Sequence, residues 1–207
     1  MKKLAILGAS GHGKVIADAA LLSGFDDVVF FDDAWPKLAL NGCWQVVGDS
    51  AQLLSCCHDF DGVIVAIGNN SVRASKSIAL MDAGAMLTTV VHPSAVISPF
   101  TVIGSGSFIA AGAVVQVDAI VGRFCIVNTN AAVEHDCTLG EAVHISPGVM
   151  LAGAVSVGDR SWVGIGACVR QLVSIGRDVV VGAGAVVVRS ISDSCTVVGN
   201  PAKPLIR

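Results

Sequence analysis

The chain has 207 residues, with 13 Lys and Arg against 16 Asp and Glu and a formal net charge of −3. With no basic run, that balance argues against nucleic acid as a partner. The mean hydropathy is high, +0.73. Yet the longest apolar run, Val179 to Val188, is only ten residues between Asp178 and Arg189, and a membrane-spanning helix needs about 20. The apolar residues are therefore read as the core of one or two domains.

The opening Met-Lys-Lys-Leu-Ala-Ile-Leu-Gly resembles the start of a signal peptide. Its apolar stretch is too short and runs into a glycine loop, so it predicts a first strand over 3–7. Gly8-Ala9-Ser10-Gly11-His12-Gly13 reads as a glycine-rich turn. Lys14 to Ser23 reads as a helix, with Val15, Ile16, Ala19 and Leu22 on one face. A second strand is predicted over Val28–Phe31, ending in Asp32-Asp33. An irregular stretch with a strand at Trp44–Val47 follows. Ser50 is expected to cap a short helix to Ser55. Gly62–Ile67 predicts a buried strand before Gly68-Asn69-Asn70, and Ser71 begins a helix to about Ala83. This alternation implies a small parallel sheet, so residues 1–91 are expected to form a Rossmann-like domain. A strand, a glycine turn and a helix place free backbone N–H groups where phosphate binds. The spacing is G-x-x-G-x-G, which disfavours NAD, although Asp32 lies about where a ribose-binding acid would follow.

From Ile97 to Val187 an aliphatic residue recurs at every sixth position, sixteen times. A small residue such as Ser107, Ala113, Cys125, Ala131 or Cys137 mostly stands two places earlier. Neither helices nor hairpin sheets have this period. It is the signature of a parallel β-helix, each hexad forming one side of a triangular prism. Residues 92–207 are read as this all-β domain, with about five coils over 95–190 and a tail after Val187. Seven cysteines (Cys43, Cys56, Cys57, Cys125, Cys137, Cys168, Cys195) have no framework spacing and suit a reducing, cytoplasmic setting. Cys137 is read as inward filler rather than a nucleophile.

Three hexads make a coil, so residues 18 apart stack. Gly153 should lie one coil above His135, bringing a base and a backbone oxyanion donor together. Trp162 should lie above His144, and Ala183 above Ile165, as an apolar wall for a long thin ligand. Both histidines are expected near corners and exposed. Two solenoid histidines leave a zinc site short of a ligand, so no metal is expected.

Taken together, the glycine turn, Phe31-Asp32-Asp33, Ile67-Gly68-Asn69-Asn70, Asn128-Thr129-Asn130 with Glu134-His135-Asp136, and Gly199-Asn200-Pro201-Ala202-Lys203 resemble the bacterial nucleotide-sugar acetyltransferases of the left-handed β-helix class. These are the sialic-acid-type and bacillosamine-pathway acyltransferases. The resemblance implies a homotrimer with interfacial active sites that acetylates a nucleotide-linked 4-amino-deoxy sugar from acetyl-CoA. By position it implies His135 as general base, Asp136 as its orienting acid and Gly153 as the oxyanion donor. His144, Trp162, Ile165 and Ala183 fall to acetyl-CoA. Ser10, Gly11, His12, Asp32, Asp33, Gly68, Asn69 and Asn128 fall to the nucleotide sugar. The rival readings are a sugar or sialic-acid O-acetyltransferase, a non-catalytic nucleotide-sugar-binding trimer and, more weakly, an NAD-dependent oxidoreductase.

Overall fold

The computed structural model describes residues 1–205. The N-terminal part is a five-stranded sheet in the order β3-β4-β2-β1-β5. Its strands are β1 Lys3–Leu7, β2 Asp27–Phe31, β3 Leu40–Asn41, β4 Trp44–Gly48 and β5 Gly62–Val65. All neighbours are parallel except the β3–β4 pair. Three helices accompany it: α1 Gly11–Leu22, α2 Ser50–Cys56 and α3 Asn70–Asp82. β1 and β5 are almost wholly buried, as strands covered on both faces must be.

Helix starts differ from the sequence reading. α1 begins at Gly11 inside the glycine motif, so the last three motif residues form its first turn. Gly13 makes this possible: a Cβ there would lie 2.4 Å from the Gly8 carbonyl oxygen and 2.8 Å from the Phe30 ring. α2 is capped by Asp49 rather than Ser50, through a capping box with Gln52. A capping box needs an acceptor side chain at the cap and Glu or Gln three residues later, and Asp49 has Gln52 at that spacing. Asn69 caps α3, its side chain accepting from Val72 N at 3.0 Å.

The C-terminal part is a left-handed β-helix with three faces. The docked face stacks Val90, Phe108, Ile126, His144, Trp162, Val180 and Thr196 in register. The apolar face stacks Val96, Val114, Ala132, Met150, Cys168 and Val186. The third, mostly polar face stacks Val102, Ile120, Thr138, Ser156 and Ser174. The inward aliphatics and their small partners are sealed: Val127, Val133, Ile145, Cys137 and Ala167 are at 0% exposure. The solenoid is longer than the sequence predicted. Val90–Val91 joins at one end, and Thr196–Val198 adds a further strand at the other. The expected tail folds back as Lys203–Pro204, antiparallel to Val197–Val198.

α1 packs on the docked face. Ile16, Ala17 and Ala20 share one core with Val90, Phe108, Ala110 and Ile126. No described helix is long and apolar enough to cross a membrane.

Candidate active site

Most corners of the prism turn through a residue with positive φ, among them Asp136 at 61° and Ala154 at 56°. Asp and Asn tolerate that region better than most side chains. Asp136 therefore turns the corner after Val133 while its carboxylate reaches back to His135. Its Oδ2 lies 2.7 Å from His135 Nδ1. A carboxylate only accepts, so Nδ1 carries the hydrogen and Nε2 keeps its lone pair. The hydrogen bond with Asp136, reinforced by the charges of Asp136 and Glu134, raises the His135 pKa above its usual 6.5.

The 18-residue stacking arithmetic holds here. Ala154 N donates to the His135 carbonyl at 2.9 Å. A Cβ on Gly153 would sit 2.5 Å from both Cε1 and Nε2 of the His135 ring, so any side chain there would displace the imidazole. The Gly153 N–H has no protein acceptor among the described residues. A proton acceptor and a free amide donor thus stand side by side in an exposed corner. Cys137, next in the chain, is fully buried, and its Sγ faces the Ala152 carbonyl at 3.3 Å. Burial pushes this thiol's pKa up, which suits packing and not attack.

A second cluster lies on the docked face and its corner with the apolar face. His144 and Trp162 stack with centroids 5.7 Å apart and planes at 5°. Trp162 Nε1 donates to Ser146 Oγ at 2.6 Å. Pro147, Gly164, Ile165 and Ala183 continue the wall of this groove, whose cavity is about 390 Å³. Contrary to expectation His144 is half-buried. Burial, with Arg73 and His12 nearby, lowers its pKa to about 3. Asn128 Oδ1 accepts from Thr129 N at 2.8 Å, so its Nδ2 faces His144 Nε2 at 3.3 Å. Neutral His144 then carries its hydrogen on Nδ1, which is buried and has no partner.

A third cluster joins the two domains. Gly68, Asn69 and Asn70 share a cavity of about 420 Å³ with His144, Arg160 and Trp162. His12, in the first turn of α1, meets Phe108 edge-on with centroids 5.6 Å apart. Burial lowers its pKa to about 4, and its Nε2 is likewise buried without a partner. Ser10 and Gly11 are exposed at the same helix N-terminus. The two acids are engaged otherwise. Asp32 Oδ2 accepts from Ala9 N at 2.7 Å and so shapes the glycine turn. Asp33 pairs with Lys76 at 2.9 Å and accepts from Ser50 N, and hydrogen bonds with Ser50 and Lys76 hold its pKa at about 2.

Arg73 is a residue that sequence reasoning missed. It is 1% exposed, and its donors reach five oxygens: Phe124 O and Ala142 O on the solenoid, and Ile67 O, Gly68 O and Asn70 Oδ1 on the N-terminal domain. Asn70 Nδ2 in turn donates to the carbonyls of Arg160 and Ser161. Phe124, Ala142 and Arg160 are successive rungs of one corner, all at positive φ. Arg73 and Asn70 thus bolt the Gly68 loop to three coils.

The model of the PglD N-terminal domain matches residues 3–79. Over 116 residues, 54% of the chain, the sequence is 40% identical to a UDP-N-acetylbacillosamine N-acetyltransferase of Bacillus subtilis (strain 168), and the match spans about half, 52%, of that protein. The acetyltransferase domain of PglB from Neisseria gonorrhoeae FA1090, solved with acetyl coenzyme A, superposes with a TM-score of 0.95 at 43% identity, covering 99% of both chains. PerB from Caulobacter crescentus, solved with CoA and GDP-perosamine, gives 0.94 at 38% identity, covering 99% of this chain and 98% of that one. With sequence and fold shared along their whole length, the chain belongs to the nucleotide-sugar N-acetyltransferases that join a PglD-type N-terminal domain to a left-handed β-helix.

Proposed function

We propose that the protein transfers acetyl from acetyl-CoA to the amino group of a nucleotide-linked 4-amino-deoxy sugar. The observation that carries this reading is the His135–Asp136–Gly153 corner, where an oriented base lies against an unpaired amide donor. The sugar ammonium gives its first proton to solvent, because only the free amine is a nucleophile, and His135 Nε2 takes the second from that nitrogen as it adds. As the amine adds to the thioester carbonyl, the Gly153 N–H stabilises the oxyanion, an interaction worth about 3 kcal/mol. The C–S bond then breaks and His135 returns the proton to the departing thiolate. No acyl-enzyme is required.

The placement of the clusters supports a homotrimer. His135 is on the edge between the apolar and polar faces, opposite the docked face that carries His144 and Trp162. One chain therefore cannot close its own groove over its own base. The apolar face lies between the His135 edge and the groove edge, and it exposes Val96 at 63% and Met150 at 47%. Three copies turning this face to a common axis would bring each His135 edge to a neighbour's groove edge. In that arrangement the Ile165–Ala183 wall holds the CoA arm, and the Nδ1–H of His144 supplies a donor to it. The α1 N-terminus with Ser10, Gly11 and His12, together with Gly68 and Asn69, holds the nucleotide sugar, and Asn128 orients His144. Asp32 and Asp33 shape that pocket. A cytoplasmic setting suits seven cysteines that are all unpaired.

The test is thiol release from acetyl-CoA across a panel of nucleotide amino sugars, with light scattering for oligomeric state. His135→Ala should lower kcat by about 10²- to 10⁴-fold and barely change KM. Acetylation of hydroxyl acceptors alone would replace the reading with O-acetyl transfer. Sugar-nucleotide binding without turnover would replace it with a regulatory trimer, and a monomer at micromolar concentration would remove the interfacial site.

A further inference from the structure

Arg73 is a buried cation without a counterion. Its five acceptors are all uncharged: four backbone carbonyls and the side-chain oxygen of Asn70. Burial lowers its pKa to about 10, which leaves it protonated at neutral pH. The Cys125 thiol lies near enough to favour the cation, but burial pushes that thiol up to about 12, so it carries no charge there. No carboxylate pairs with Arg73 among the described residues. The arginines of the solenoid corner that it grips are neutralised instead, Arg123 by Glu141 and Arg160 by Asp178. A buried charge left uncompensated is costly to a fold, so its retention calls for a reason beyond fastening two domains.

The charge stands directly behind a pocket. Arg73 donates to Gly68 O and Asn70 Oδ1, and Gly68, Asn69 and Asn70 form one wall of the interdomain cavity. It also donates to Ala142 O, two residues before His144 on the other wall. Arg160 and Asp178, the charged residues that line the cavity, offset each other through two hydrogen bonds. β1 and β5 are neighbours in the sheet, so α1 and α3, which follow them, start side by side. Neither helix has an acid in its first turn, and the positive ends of both dipoles are unopposed. The guanidinium is among the causes that lower the pKa of His12, in the first turn of α1, and of His144. Its field therefore reaches from the cavity wall to the start of α1.

A pocket whose uncompensated charge is a buried cation takes its counterion from the ligand. We propose that Arg73 is a positioning residue for the acceptor, its charge drawing the acceptor's diphosphate to the two helix N-termini without touching it. The side chain is 1% exposed, so it acts through the Gly68–Asn70 loop that it holds. A diphosphate carries negative charge at both phosphorus atoms and suits backbone N–H groups at a helix start. The inference rests on the acceptor being a nucleotide-linked sugar.

The test pairs Arg73→Gln, which removes the charge, with Arg73→Lys, which keeps it and loses most of the fork. The same burial that lowers Arg73 to about 10 leaves a lysine, usually about 10.4, protonated at about pH 6.5, where the assays are run. Both variants lose bonds between the domains and should melt below the parent. Kinetics use acetyl-CoA and the nucleotide amino sugar that the parent turns over, at a temperature where each variant is folded. Arg73→Gln should raise the nucleotide-sugar KM by about 10- to 100-fold, the scale of opposite charges about 10 Å apart at an effective dielectric near 20. Its kcat and acetyl-CoA KM should stay within about threefold, and Arg73→Lys should stay within about threefold in all three. Calorimetry with uridine, UMP and UDP, and with guanosine, GMP and GDP, separates charge from shape. The gain in affinity from nucleoside to diphosphate should shrink by about 10-fold or more in Arg73→Gln and persist in Arg73→Lys. A parental nucleotide-sugar KM in Arg73→Gln overturns the proposal. Equal rises in both variants, or equal losses of nucleoside and diphosphate affinity, overturn it too, since Arg73 would then be a fastening alone. Calorimetry needs no turnover, so a parent that acetylates no nucleotide amino sugar overturns the acyltransfer reading while the ligand series still decides the role of Arg73.

Discussion

Replacing Gly153 by alanine tests the catalytic corner with the smallest perturbation available. The new methyl would stand 2.5 Å from Cε1 and Nε2 of His135 and 3.2 Å from Cδ2. Carbon contacts settle near 3.5–4.0 Å, so the ring must retreat by about 1 Å. It can do so at little cost to the fold, because the His135 side chain is 59% exposed. It cannot do so without moving Nε2 or straining the 2.7 Å contact to Asp136. A misplacement of about 1 Å at a reacting group lowers rate by about 10²-fold. The expected variant melts within a few degrees of the parent, keeps its acetyl-CoA KM and loses about two orders of magnitude in kcat, read by thiol release. Combining it with His135→Ala should cost little more than His135→Ala alone, because a displaced base and an absent one are nearly equivalent. Parental kcat in Gly153→Ala, or strict additivity in the double variant, would refute the placement of the base.

Asp136→Asn removes the charge and weakens the hydrogen bond that raise the His135 pKa. The acid limb of the kcat/KM profile, where protonation silences the base, should move to lower pH, and an unmoved limb would detach Asp136 from the base. Cys137→Ala should retain activity, since the thiol only fills the prism, and a folded but inactive variant would revive covalent catalysis. Arg73→Met should destabilise the chain by about 3 kcal/mol, leaving several buried oxygens unpaired; at this size that is roughly 10 °C in Tm, and a shift below 2 °C would show that the bolt is dispensable. Acid should unfold the protein through His12 and His144. Their folded pKa values, about 4 and about 3, lie below the usual 6.5, so the unfolded chain binds more protons between those limits. Stability is then full above about pH 6.5 and falls by a few kcal/mol as pH drops toward 4. Denaturation at a series of pH values checks this, and the slope should flatten in His144→Gln.

Much of this site could be read before any coordinates. A hexad repeat is a strand and a corner, so 18-residue arithmetic alone pairs His135 with Gly153 and His144 with Trp162, and both pairs are found in register. What escaped depends on how separate parts meet. His144 reads as a corner residue of a bare prism; it is half-buried and neutral because Trp162 stacks on it and the N-terminal domain lies close by. Arg73 reads as one more polar residue in an amphipathic helix, since nothing local announces five backbone and amide oxygens waiting on another domain. The two-residue shortening before Ile191, which bridges to Ile175, is equally silent, because it breaks the period that made the rest legible.

The electrostatics set the three histidines apart. Burial near the Arg73 guanidinium, a full charge with no carboxylate partner among the described residues, keeps His12 and His144 neutral throughout the physiological range. They can order a ligand through fixed hydrogen bonds, but they cannot take up its proton. His135 stands at an exposed corner beside Asp136 and Glu134 and is pushed the other way. A base must be able to take up a proton at the working pH, and of these three imidazoles only His135 has its pKa raised rather than lowered. Environments that push imidazole pKa values apart let one residue type serve either fixed hydrogen bonding or proton transfer. The separation is built into the fold. The docked face, covered by a domain bolted through a buried cation, holds its histidine neutral, while a solvent-facing corner turned by Asp136 raises the pKa of His135.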